Sequence, residues 1–129
     1  MLLLRLAVLF STLLSAGPGC GLLSRPNPAS TGSLLNSEVS IEVENHNWSD
    51  ITVYLVTGGL PQRLGMVTAL SNASFAFPAQ RLNTAGSVRL RALPVAGRAY
   101  TSDAILVQPG QAIMWTLEND LEISSLSVY

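Results

Sequence analysis

From position 38 onward, apolar and polar residues alternate with a period of two. Val39, Ile41 and Val43 alternate with Ser40, Glu42 and Glu44, which predicts a strand with one face in a core and the other in water. Asn45-His46-Asn47-Trp48-Ser49-Asp50 reads as a turn cluster, and Ile51 to Thr57 as a second strand with Ile51, Val53 and Leu55 inward. Gly58-Gly59-Leu60-Pro61 breaks that strand. A third covers Gln62 to Thr68 and turns at Ser71-Asn72; a fourth, Ser74 to Phe77, points Phe75 and Phe77 the same way. Pro78 to Gly86 is read as a loop with room for one short helical turn.

The second half follows the same logic. Ser87 to Leu93 buries Val88, Leu90 and Ala92 and turns Arg89 and Arg91 to water, where Glu42 and Glu44 are expected as their partners. Tyr100 to Val107 reads as one strand, closed by the turn Gln108-Pro109-Gly110-Gln111. Ala112 to Glu118 carries the strongest alternation, with Ile113, Trp115 and Leu117 on one face. Asn119-Asp120 turns, and Leu121 to Tyr129 supplies a last strand. Roughly seven to eight short strands, without a convincing helix, predict an all-β domain over residues 38–129: an antiparallel two-sheet β-sandwich. An up-and-down barrel is the alternative. The pattern, and the run Pro-Gly-Gln-x-Ile-x-Trp-x-Leu at Pro109–Leu117, resembles immunoglobulin-like or transthyretin-like modules of exported bacterial proteins. That resemblance is one of fold and implies no particular activity.

Before position 38 the period of two is missing. Arg5 precedes an apolar stretch from Leu6 to Phe10 that continues through Leu13 and Leu14. A positive start and an apolar run of about 7–15 residues match a secretory signal and fall short of the ~20 that cross a bilayer. Residues 1–19 are therefore read as a signal peptide. Ala16-Gly17-Pro18-Gly19-Cys20 then resembles the lipobox of bacterial lipoproteins. Gly19 and Cys20 match it; Gly17 stands where family members usually carry Leu, Val or Ile, and Pro18 departs from the usual residue. The resemblance implies that Cys20 is a lipidated anchor, since two or more acyl chains hold a protein stably on a membrane. It also implies sorting to the outer membrane, because Gly21 rather than Asp follows the cysteine. An ordinary signal-peptidase cut at the same place would leave the protein periplasmic or secreted. Residues 20–37, rich in Pro, Ser, Gly and Asn, read as a flexible tether, with order beginning near Leu34 and Leu35.

With Cys20 assigned, the domain has no cysteine left for a disulfide, a metal or catalysis, so its stability rests on an apolar core. The net charge of -1 suggests neither nucleic acid nor an anionic membrane surface as an electrostatic partner. His46, with Glu44 and Asp50 nearby, is too small a set for a metal and reads as a solvated turn residue. The run Glu118-Asn119-Asp120-Leu121-Glu122 offers oxygens for Ca²⁺ without the spacing of an EF-hand. Serines with His46 and Asp50 or Asp103 lack a nucleophile elbow. No enzyme, cofactor or metal site is expected. Trp48, Tyr54 and Val56 form the candidate partner-binding patch, Trp48 on the loop and the other two outward on the second strand. The expectation is a non-catalytic envelope lipoprotein, held to the membrane by lipid on Cys20 and serving as a structural or protein-binding accessory to an unknown envelope protein. The alternative is a secreted carbohydrate- or ligand-binding module.

Overall fold

A computed structural model describes residues 37–129. The expected signal peptide at 1–19, Cys20, the start of order near Leu34 and the tether up to residue 36 lie outside the described residues. Among the described residues nine strands follow one another: β1 Glu38–Asn45, β2 Ile51–Thr57, β3 Leu60–Val67, β4 Asn72–Pro78, β5 Ser87–Pro94, β6 Tyr100–Thr101, β7 Ile105–Leu106, β8 Ala112–Leu117 and β9 Ser125–Val128. Single 3₁₀ turns at Ala79–Arg81 and Leu121–Ile123 are the helical segments among the described residues. The first falls in the loop where a helical turn was expected. The second replaces the beginning of what reads in sequence as the last strand.

The strands form two sheets, one of order β4-β1-β8-β9 and one of order β3-β2-β5-β6 with β7 also on β5. Their inner faces share one core: Val39, Ile41, Val43, Phe77, Ile113, Trp115 and Leu117 from the first, and Ile51, Val53, Leu55, Leu90 and Ala92 from the second. The two-layer sandwich thus follows from the alternation, since each strand has one greasy face and two such sheets cover each other.

Three expectations need correction. First, the pairing is not antiparallel throughout: β1 runs parallel to β8, from Ser40↔Ala112 to Asn45↔Leu117. Strand alternation cannot reveal this. The chain leaves the first sheet at Asn45, adds β4 to it between β3 and β5 of the second, and enters β8 at the end where β1 began, with the Ser40 N–H donating to the Gln111 carbonyl at 3.2 Å. Without a hairpin between them, nothing forces opposite directions.

Second, Leu60 and Pro61 do not break the chain; they begin β3. Gly58 (φ 58°) and Gly59 (φ 81°) alone make the turn, because a two-residue hairpin of this hand needs positive φ at both positions. Pro61 is tolerated because β3 is an edge strand. Further along β3, the partner of Tyr54 is Arg63 while that of Val53 is Gly65, so Leu64 is an extra residue. Beyond this bulge, a Cβ on Gly65 would overlap the Phe75 ring, which lets β3 and β4 approach across the sheet boundary only if residue 65 is glycine.

Third, Tyr100 to Val107 is not one strand. Arg91↔Thr101 and Ser87↔Leu106 belong to registers one residue apart, and the surplus is taken up around Ser102. That residue is buried. Its N–H donates to the Leu90 carbonyl at 2.8 Å, and its hydroxyl accepts from the Leu90 N–H at 3.0 Å and donates to the Asp103 carbonyl. A serine at the break supplies both partners that a disrupted ladder needs.

Candidate functional site

The topology collects four loops at one end. β1 ends at Asn45 and β8 at Leu117, β4 starts at Asn72, β2 starts at Ile51, and β5 ends opposite Ile51 at Pro94. The loops following Asn45, Val67, Pro94 and Leu117 therefore sit together. Glu38, where the chain enters the domain, lies a full strand away: eight residues of β1 amount to about 25 Å.

Two asparagines knit these loops. The alternation of β1 carries Asn45 into the inward phase, where it is 1% exposed. Its amide donates to the carbonyls of Ser49 (3.0 Å), Val67 (3.4 Å) and Thr68 (3.0 Å), and its Oδ1 accepts from the Asn47 N–H at 2.9 Å. Asn47 donates to the carbonyls of Glu118 and Asn119, both at 3.1 Å, and accepts from the Ser49 N–H. Asp50 accepts from the Ala69 N–H at 2.8 Å, and the Asp50 carbonyl accepts from the Val95 N–H at 2.9 Å. Asn119 Oδ1 accepts from the Trp48 N–H. The turn cluster is therefore a fixed platform, and sequence reading underrated it. The signal was present: Asn45 stands in phase with Val39, Ile41 and Val43.

Trp48 is held on this platform with 76% of its surface exposed. Leu70, Val95 and Ile123 on the adjoining loops are also largely exposed. Leu70 is at φ 55°, its N–H donating to the Asn47 carbonyl. This left-handed backbone is one that a non-glycine residue adopts at a cost of order 1 kcal/mol. Exposed apolar side chains thus gather at this end of the domain on loops whose backbones are hydrogen-bonded.

Tyr54 and Val56 do not extend this patch; they lie on the broad outer face of the second sheet. There Arg63, Tyr54 and Arg91 form one cross-strand row, Pro61, Val56 and Arg89 the next, and Met66, Thr52 and Leu93 a third. The expected pairing of Arg89 and Arg91 with Glu42 and Glu44 is overturned, because those glutamates point outward from the first sheet, on the opposite side of the sandwich. Residue spacing shows which side of its own strand a residue takes, but not which sheet the strand joins.

His46 sits between two carboxylates, with Nε2 3.1 Å from Glu44 Oε1 and Nδ1 3.1 Å from Glu118 Oε1. The hydrogen bonds to Glu44 and then Glu118 raise its pKa above 6.5, since both ring nitrogens donate only in the imidazolium. A raised folded-state pKa means that this contribution to stability is fully present below pH 6.5 and is lost as pH rises through the folded value. The denaturation midpoint of the natural chain is accordingly expected to fall across that interval. The fall should vanish in His46→Gln, and an unchanged pH dependence in that variant would refute the assignment.

The acidic run is occupied locally. Glu118 meets His46, Asn119 accepts from Trp48, and Asp120 caps the turn by accepting from the Glu122 N–H at 3.1 Å. Among the described residues, no group of three or more His, Cys, Asp or Glu side chains is placed to hold a metal ion. No helix among them is long and apolar enough to cross a membrane.

No protein-family model matches the chain, and no curated protein does. Among solved structures, the chain is similar to the NMR structure of a protein from Eubacterium rectale, at 13% identity and a TM-score of 0.42, covering 72% of this chain and 87% of that one.

Proposed function

We propose that this chain is a lipid-tethered, non-catalytic binding module of the bacterial cell envelope, which contacts a partner protein through its Trp48 end. Cys20 is the anchor, on the outer membrane as the residue after it implies, and residues 20–37 are the tether. In architecture the module is of immunoglobulin-like or transthyretin-like type at the level of its two-layer packing. The observation that carries the reading is the position of Trp48: a solvent-facing indole on a hydrogen-bonded backbone, at the end of the domain farthest from where the tether joins. Aromatic anchors of this kind dominate protein interfaces, because they bury a large area at little entropic cost.

Two measurements test the halves separately. Cys20→Ser is expected to move the protein from the membrane fraction to the soluble envelope fraction; retention in the membrane refutes the anchor. A photo-crosslinking amino acid at position 95, exposed on the loop beside that of Trp48, is expected to give one discrete protein adduct in intact cells. Trp48→Ala should weaken that complex by a factor of about 30, the loss typical of a central aromatic anchor, and leave the fold unchanged. No adduct at position 95 refutes the contact surface.

A further inference from the structure

Charge is segregated between the two broad faces of the sandwich, and the near-neutral total conceals it. The outer face of the first sheet carries Glu38, Glu42 and Glu44 on β1 and no arginine among its strands. The outer face of the second carries Arg63, Arg89 and Arg91 and no carboxylate among its strands. None of these arginines has a carboxylate within 4 Å among the described residues. Glu42 and Glu44 border a shallow depression of about 480 Å³ with Met114, Asn72 and Ser74. Glu42 receives the Tyr129 hydroxyl at 3.1 Å and Glu44 receives His46, each through one oxygen, so both keep acceptor capacity.

We propose that the arginine face of one copy docks on the glutamate face of the next, so that the chain assembles front to back with itself. The spacing matches. Arg89 and Arg91 stand two residues apart on β5, as Glu42 and Glu44 do on β1, and each interval is about 7 Å. The direction matches too. β1 runs toward the Trp48 end, and β5 runs toward it as well, ending at Pro94 opposite Ile51. Asn45 and Pro94 end their strands at the same level, so Arg91 lies level with Glu42 within one copy. A translation through the thickness of the sandwich combined with a slide of two residues along the strands, about 7 Å, sets Arg91 toward Glu44 and Arg89 toward Glu42. Tyr54, Met66 and Leu93 supply apolar area around the ion pairs, which alone contribute little at an exposed surface.

Such a contact joins two different surfaces and does not close on itself, so it yields rows rather than a dimer. It also keeps every copy in the same orientation, with all N-termini at one end, which is the arrangement a common membrane anchor imposes. In that respect the inference rests on the tethered reading above. The glutamate face of a second copy is favoured over an unrelated acidic partner because its spacing, direction and depression are all present in this molecule.

The test is sedimentation of the full chain carrying Cys20→Ser, so that the faces are read without the anchor. Its weight-average mass is expected to rise past the dimer with concentration and to return to the monomer in high salt. Arg89→Glu/Arg91→Glu leaves both faces acidic, and Glu42→Arg/Glu44→Arg leaves both basic. Each is expected to associate at least 10-fold more weakly, and an equimolar mixture should recover assembly, because acidic and basic faces then alternate. Circular dichroism checks that both variants are folded. A monomer at every concentration, a closed dimer, or assembly indifferent to charge reversal overturns the proposal. A monomeric chain that still gives a discrete adduct with another protein at position 95 overturns it while leaving the binding reading intact.

Discussion

Asn45→Ala is expected to destabilise the domain by about 3 kcal/mol, measured as a shift of the urea midpoint at constant slope. The magnitude comes from counting what is stranded. Three carbonyls, of Ser49, Val67 and Thr68, lose their donor, and the Asn47 N–H loses its acceptor. A made hydrogen bond contributes only about 1 kcal/mol net, whereas a buried group left unpaired costs about 1–3 kcal/mol. Some stranded groups will recover water at the loop surface, which holds the total near the lower bound. Asn45→Asp should be no better, because a carboxylate would face three carbonyl oxygens without a proton to offer them. The same substitution should also loosen Trp48, whose loop is held through Asn47, so position-95 crosslinking should fall together with stability. A loss below 1 kcal/mol would show that the asparagine network is incidental to the fold.

Trp115→Ala is expected to cost about 3–5 kcal/mol, the range for removing a large aromatic from a packed core. Trp115 is 1% exposed and sits mid-strand on β8, between Val43 of β1 and Leu126 of β9. It lies on the inner face of a sheet held together there by the parallel β1–β8 ladder. Neither a disulfide nor, among the described residues, a metal cluster is available to share the load. Small domains are stable by about 5–15 kcal/mol, so a loss of this size leaves the variant partly unfolded at moderate temperature. Thermal unfolding followed by far-ultraviolet circular dichroism reads it directly. A variant as stable as the natural chain would mean that the core is assembled around other residues.

The two variants differ in what the sequence discloses. Trp115 is legible at once, since Ile113, Trp115 and Leu117 alternate with polar or smaller neighbours in a strand of the simplest pattern. Asn45 has the same phase in its own strand, yet its polarity disguises it as the start of a turn. The residue is both, because a buried strand end is where backbone carbonyls of converging loops need a donor. The distribution of charge was legible only by halves. That Glu42, Glu44, Arg89 and Arg91 face water follows from alternation. That the glutamates and arginines face away from each other depends on which sheet each strand entered.

Alternation of side chains determined the longer strands, β1, β2, β5 and β8, their inward residues and the need for two sheets, because period-two amphipathicity is local and each apolar face must be covered. Partners were decided only in three dimensions. The parallel β1–β8 ladder, the one-residue bulges at Leu64 and Ser102, the gathering of four loops about Asn45 and the opposed charges of the two faces all depend on long-range pairing. Such pairing is chosen by how the whole core closes, and no window of neighbouring residues contains that information.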